Sequence, residues 1–152
     1  SEQAIRKGLA SVSWPCRLEA VSREPLVIID GAHNEPGMQA LARAVELYWP
    51  GRRVCGLIGM LDDKQRQQAL SRILPRLDKV IVTRPGYPAR SKAWAEVGEI
   101  ARAYGKEPLL IEDSRAALAA AMSTDCDMVL ICGSLYLAAD LRGEFPLSDG
   151  LL

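Results

Sequence analysis

A chain of 152 residues, 49% of them hydrophobic, is long enough to bury one ordinary core and too short to call for several. Its 19 basic and 19 acidic side chains balance, which leaves no electrostatic footprint for nucleic acid or for an anionic membrane surface. No apolar run approaches the roughly 20 residues of a membrane helix, and neither a signal peptide nor a lipidation motif is visible.

In chain order, short apolar segments alternate with helical patterns. Residues 17–21 read as an edge strand, followed by buried strands at 26–30, 54–58, 79–83, 108–111 and 128–132, each short, apolar and mostly bounded by turn residues. Between them, Met38, Leu41, Ala42, Val45 and Tyr48 recur at helical spacing within residues 36–49. Leu70, Ile73, Leu74 and Leu77 form a second stripe, interrupted by Pro75. Trp94, Val97, Ile100 and Tyr104 form a third, after a cap at Ser91 and before a stop at Gly105. An alanine-rich helix follows Asp113, and proline and glycine at residues 145–150 mark a frayed tail. This alternation predicts one α/β, Rossmann-like three-layer domain over residues 1–152: a mostly parallel sheet of about six strands with helices on both faces.

The four cysteines contain no Cys-x-x-Cys pair, and with a single histidine they leave little material for a metal site, so none is expected. Cys55 and Cys132 fall in apolar strands as small buried hydrophobes, a usage that suits a reducing cytoplasm. The densest chemistry follows the strand at 26–30, where Asp30-Gly31-Ala32-His33-Asn34 ends an apolar run and a helix begins just beyond. A parallel strand delivers such side chains to the carboxyl edge of a sheet, where ligands bind. The same residues also suit a purely local role, Asp30 shaping the turn and Asn34 capping the helix.

Asp30-Gly31-Ala32-His33-Asn34 resembles the Asp-Gly-Ala-His-Asn signature of the folylpolyglutamate and dihydrofolate synthases, relatives of the Mur ligases. Other landmarks recur in family order. Trp14-Pro15-Cys16-Arg17-Leu18-Glu19 is similar to a Trp-Pro-Gly-Arg-x-Glu segment, and Gly59-Met60-Leu61-Asp62-Asp63-Lys64 to a Gly-Met-x-x-Asp-Lys loop. Val82-Thr83-Arg84-Pro85 matches a strand-end Val-Thr turn, and Cys132-Gly133-Ser134-Leu135-Tyr136-Leu137 the last strand-to-helix junction. The resemblance implies the carboxyl-terminal domain of an ATP-dependent ligase that joins a folate or pteroate carboxylate to the amine of L-glutamate through an acyl phosphate.

The resemblance also implies a larger amino-terminal ATPase domain as partner, which would hold most of the ATP and Mg²⁺ contacts and carry the phosphate loop. No Gly-x-x-x-x-Gly-Lys-Ser/Thr segment occurs in this chain, which begins at Ser1 without methionine; both facts fit an excised domain or a chain cut in two. The isolated domain is expected to be inactive. Carried over by motif, Arg17, Asp30, His33 and Asn34 are the expected ATP-binding residues, Asp30 and His33 the expected catalytic ones, and Lys64 and Ser134 the expected glutamate-binding ones. Arg84 and Arg90 are further candidates for attracting polyglutamate. Cys16 stands where the family usually has glycine, Gln65 where many members have an acid, and Pro36 lies two residues after Asn34 rather than directly after it. If the glycine is needed for a positive φ, Cys16 affects how Arg17 is presented. Two other readings remain: a nucleotide-binding or interaction module on a flavodoxin-like scaffold, and the equivalent domain of a Mur-type ligase for another amino acid.

Overall fold

The computed structural model describes residues 1–11 and 14–146. Six strands form one sheet: β1 (Glu19–Arg23), β2 (Leu26–Ile29), β3 (Val54–Ile58), β4 (Lys79–Val82), β5 (Leu109–Leu110) and β6 (Met128–Cys132). Their spatial order is β1-β2-β6-β3-β4-β5, with only β1 antiparallel to its neighbour. The last strand in the chain is therefore central, paired with β2 on one side and β3 on the other. Sequence alternation predicts the parallel sheet but carries no information on this insertion, which depends on non-local pairing.

The sheet is covered on both faces, and the period-two alternation of strands explains how. Ile28, Val54, Ile58, Met128 and Leu130 face a core shared with α2 (Glu35–Tyr48), α3 (Arg66–Ile73) and α4 (Glu96–Ala103). Val27, Ile29, Cys55, Leu57, Val129 and Ile131 face the second core, closed by α5 (Ser114–Met122) and α6 (Leu135–Arg142). Strands buried on both faces read as unbroken apolar runs, which is why β2, β3 and β6 stand out in the sequence. Burial pushes the Cys55 thiol up to about 11 and raises that of Cys132, so both behave as inert hydrophobes.

Three expectations are corrected, and one element is added. The edge strand begins at Glu19 rather than residue 17, because Arg17 and Leu18 belong to a tight turn. β5 is reduced to two half-exposed residues, since it lies at the sheet edge and pairs only with β4. The stripe around Val97 becomes helical only at Glu96: Ser91 is no cap but a buried hydroxyl that receives the Arg84 Nε–H and lies against the carbonyls of Pro85 and Tyr87. A further helix, α1 (Glu2–Ala10), precedes the expected elements, capped by the Ser1 side chain. Pro75 ends α3 as expected, the chain continuing as a 3-10 turn over Leu74–Arg76. Phe145 packs against the α5–α6 core, while the rest of the expected tail, from residue 147, lies outside the described residues. No helix among the described residues is long and apolar enough to cross a membrane.

Candidate active site

The carboxyl ends of the parallel strands converge on one edge, and the loops there carry the signature residues. The N–H of Asp30 donates to the Ile131 carbonyl (2.9 Å), extending the β2–β6 ladder by one rung before the chain turns away. Its carboxylate then accepts two backbone N–H bonds, from Leu18 (2.9 Å) and Ala32 (2.8 Å), while Gly31 N–H donates to the Cys16 carbonyl (2.8 Å). Asp30 therefore fastens the Cys16–Leu18 turn to the signature loop. That turn needs fastening: Cys16 (φ 59°) and Leu18 (φ 44°) both occupy the left-handed region, at about 1–2 kcal/mol each for side-chain-bearing residues. The positive φ at Cys16 is the physical reason a glycine suits this position, and the cysteine tolerates it while burying its thiol among Val21, Ile29 and Leu137.

Arg17, between these strained residues, is exposed at the mouth of a cleft. It does not pair with Glu19. The Glu19 carboxylate accepts instead from Arg142 Nε (3.0 Å) and from the Cys16 N–H (2.8 Å). Burial alone would raise this carboxyl, but the hydrogen bonds from Arg142 and Cys16 outweigh it and hold it below the usual range. Glu19 thus anchors the turn, and among the described residues the Arg17 guanidinium has no hydrogen-bond or ion-pair partner.

Beyond Asp30, His33 Nδ1 lies 2.8 Å from the Gly31 carbonyl. A carbonyl only accepts, so Nδ1 carries the proton and Nε2 is the nitrogen left for a ligand. Asn34 caps α2, its Oδ1 accepting from Gly37 N–H (2.9 Å), and Pro36 still falls within the first turn, where its missing N–H costs nothing. Arg17, Asp30, His33 and Asn34 line one cleft of about 310 Å³, floored by the small residues Gly37 and Ala40 of α2.

A second, smaller cleft of about 120 Å³ adjoins it, lined by Lys64, Arg90, Ser134 and Tyr136, and His33 and Leu135 belong to both. Ser134 is buried, and its Oγ accepts from the N–H groups of Tyr136 (3.1 Å) and Leu137 (3.4 Å) as the cap of α6. Gly133 just before it has φ 107° and donates its N–H to the Ala32 carbonyl (2.8 Å), tying the two junctions together. Lys64 is half-buried and makes no hydrogen bond through its ammonium among the described residues. It precedes α3, which starts at Arg66 with no side-chain cap; Asp62 instead accepts the N–H groups of Lys92 (2.9 Å) and Ala93 (3.0 Å).

A profile described as the Mur ligase, glutamate ligase domain, matches residues 16–135. The chain belongs to the Mur ligase family. Folylpolyglutamate synthase of Lacticaseibacillus casei is 37% identical over 143 residues, which are 92% of this chain and 32% of that protein. Mycobacterium tuberculosis folylpolyglutamate synthase, solved in complex with ADP and AMPPCP, superposes with a TM-score of 0.84 at 30% identity, covering 97% of this chain and 36% of that one. A bifunctional folylpolyglutamate synthase/dihydrofolate synthase with Mn, AMPPNP and L-glutamate bound gives 0.82 at 29% identity, covering 95% of this chain and 34% of that one. The chain spans about a third of the length of these relatives.

Within this Mur-type domain, the structure separates the remaining candidates. Thr83 lies on the same sheet edge but is fully buried, its hydroxyl donating to the Glu112 carbonyl (3.1 Å), so it lines neither cleft. Arg84 is held by Glu112, Ser91 and the Pro88 carbonyl and lines neither cleft, whereas Arg90, itself paired with Asp63, lines the smaller one. Tyr136, not singled out by sequence, stacks on Tyr87 at 5.1 Å, and Arg90 lies 5.5 Å from the Tyr87 ring centre on its cation–π face. Its only signal in the sequence is its place two residues after Ser134 at the last strand-to-helix junction. Among the described residues no three or more His, Cys, Asp or Glu side chains are grouped so that they could hold a metal ion.

Proposed function

We propose that this chain is the glutamate-ligase domain of an ATP-dependent folylpolyglutamate synthase/dihydrofolate synthase, acting with a larger ATPase domain that holds the triphosphate and Mg²⁺. The observation that carries this reading is the adjacency of two differently equipped clefts across His33 and Leu135. One presents an exposed arginine, an engaged carboxylate and small helix residues, a combination suited to a nucleotide. The other presents Lys64, Arg90 and the Ser134 helix start, suited to a small dicarboxylic amino acid. Similarity to folylpolyglutamate synthases over nine-tenths of the chain supports the same assignment.

In this reading the γ-phosphoryl group of ATP passes to the carboxylate of a folate or dihydropteroate, and the amine of L-glutamate attacks the resulting acyl phosphate. The C–N bond forms, the amine loses a proton and inorganic phosphate leaves. The reaction demands positioning and charge stabilisation more than a side-chain nucleophile. Arg17 contributes a planar fork for phosphate oxygens, and Asp30 holds the turn that aims it, keeping spare lone pairs for ribose hydroxyls. Asn34 fixes the start of α2 beside the nucleotide. His33 lines both clefts, and with Nδ1 held by the Gly31 carbonyl its Nε2 is the nitrogen available to phosphate oxygens or the incoming amine. Lys64 and the Ser134 hydroxyl hold the carboxylates of the amino acid.

The test uses the full-length protein carrying this chain, titrating L-glutamate and ATP separately. Lys64→Ala should raise the glutamate KM by roughly 10- to 100-fold, the worth of one charge-assisted hydrogen bond, and leave the ATP KM nearly unchanged. Arg17→Ala should do the reverse. An effect of Lys64→Ala confined to ATP, or no glutamate-dependent turnover in the unaltered protein, overturns the assignment.

A further inference from the structure

Arg66 is the first residue of α3, where the helix dipole disfavours a cation, yet it is only 7% exposed. Local helix energetics therefore do not explain it. Its contacts do. Nη1 donates to the Ala93 carbonyl (2.9 Å) and to Glu96 Oε2 (3.2 Å), and Nη2 donates to the Met60 carbonyl (3.1 Å) and Asp62 Oδ1 (3.0 Å). Among the described residues its Nε–H alone has no partner. The two nitrogens thus reach two different segments: the loop after β3 that carries Lys64, and the segment after β4 that carries Arg90.

Asp62 completes the clasp from the other side. Besides receiving Arg66, its carboxylate accepts the Lys92 and Ala93 N–H groups, and its own N–H donates to the Arg90 carbonyl (2.7 Å). Asp63 pairs with the Arg90 guanidinium. The bonds from Arg66 to Ala93 and Glu96, from Asp62 to Arg90, Lys92 and Ala93, and from Asp63 to Arg90 join the same two segments, while those from Arg66 to Met60 and Asp62 brace its own; the two cations of the smaller cleft lie one on each segment.

We infer that Arg66 is a positioning residue that sets the spacing of Lys64 and Arg90, so that the smaller cleft is preformed for a dicarboxylate. The inference rests on the ligase reading and deepens it. A planar fork can span both segments at once, whereas an ammonium is a point charge that must choose. With the fork removed, the two cations keep their chemistry but lose their fixed separation, and the binding cost falls on the acceptor alone.

In the full-length protein, Arg66→Met should raise the glutamate KM about tenfold while the ATP KM stays within twofold, and Arg66→Lys should fall between Arg66→Met and the unaltered protein. Amide hydrogen exchange should quicken at Lys92 and Ala93 in both variants but not in β3 or β6. A parallel rise of both KM values, or a lower Tm with unchanged KM values and unchanged exchange at Lys92 and Ala93, overturns the inference and leaves Arg66 a stabilising contact only. If Arg66→Met does not fold, Arg66→Lys decides by the same two readouts. Absence of glutamate-dependent turnover in the unaltered protein overturns the parent reading instead, and the exchange result then still decides whether Arg66 holds the two segments together.

Discussion

Gly133→Ala isolates the joint on which both clefts depend. Gly133 has φ 107°, outside the range that side-chain-bearing residues tolerate, and a Cβ built there would lie 2.6 Å from the Gly59 carbonyl oxygen and 3.0 Å from Met60 Cγ. The first of these is backbone and cannot swing aside, because Gly59 N–H is itself held by the Cys132 carbonyl (3.2 Å). Backbone strain of about 1–3 kcal/mol adds to an overpacking cost of about 1–3 kcal/mol, giving a destabilisation of about 2–6 kcal/mol. Gly51→Ala is the control, since Gly51 has φ 72° with nothing within 4 Å of the added carbon, so it pays only the conformational part, about 1 kcal/mol. Denaturant unfolding followed by circular dichroism, with both variants measured against the unaltered chain, separates the two costs. At about 2–4 °C per kcal/mol, the Gly133 variant should also melt lower by about 4–24 °C, against about 2–4 °C for Gly51→Ala. Equal losses for the two variants, or a loss below 1 kcal/mol at Gly133, would refute the argument that the junctions are in backbone contact there.

Asp30→Ala should destabilise the fold by about 2–3 kcal/mol as well as impair nucleotide use, because it strands two N–H donors, those of Leu18 and Ala32, at a strained turn; an urea midpoint unchanged from the parent would show that the turn holds without it. Glu19 sets an acid limit. Its folded carboxyl lies below its ordinary value of 4.5, so its stabilisation is complete above that pH and disappears as pH falls through the lowered folded value. Thermal melts between pH 6 and pH 2 should accordingly fall more steeply for the unaltered protein than for Glu19→Gln, and parallel curves would count against the Glu19–Arg142 anchor.

What the sequence by itself determined is what short-range patterning can encode. Continuous apolar runs at β2, β3 and β6 announced strands buried on both faces, the helical stripes placed α2 and α5, and Asn34 and Asp113 cap those helices as their side chains suggest. Order and identity of the motifs were legible too, as was the conformational demand on Cys16, which its φ of 59° now makes explicit. Tertiary structure decided the rest, because each remaining feature joins residues far apart in the chain. The insertion of β6 between β2 and β3 brings Ser134 beside His33, which makes two clefts share one wall. Glu19 finds Arg142 across 123 positions, and Asp62 clasps the segment at Lys92 and Ala93, 30 and 31 positions away. Ser91, a cap by composition, is drawn inward because Arg84 and the carbonyls of Pro85 and Tyr87 need a partner there. A short polar side chain has several local partners that satisfy it almost equally, and only packing selects among them.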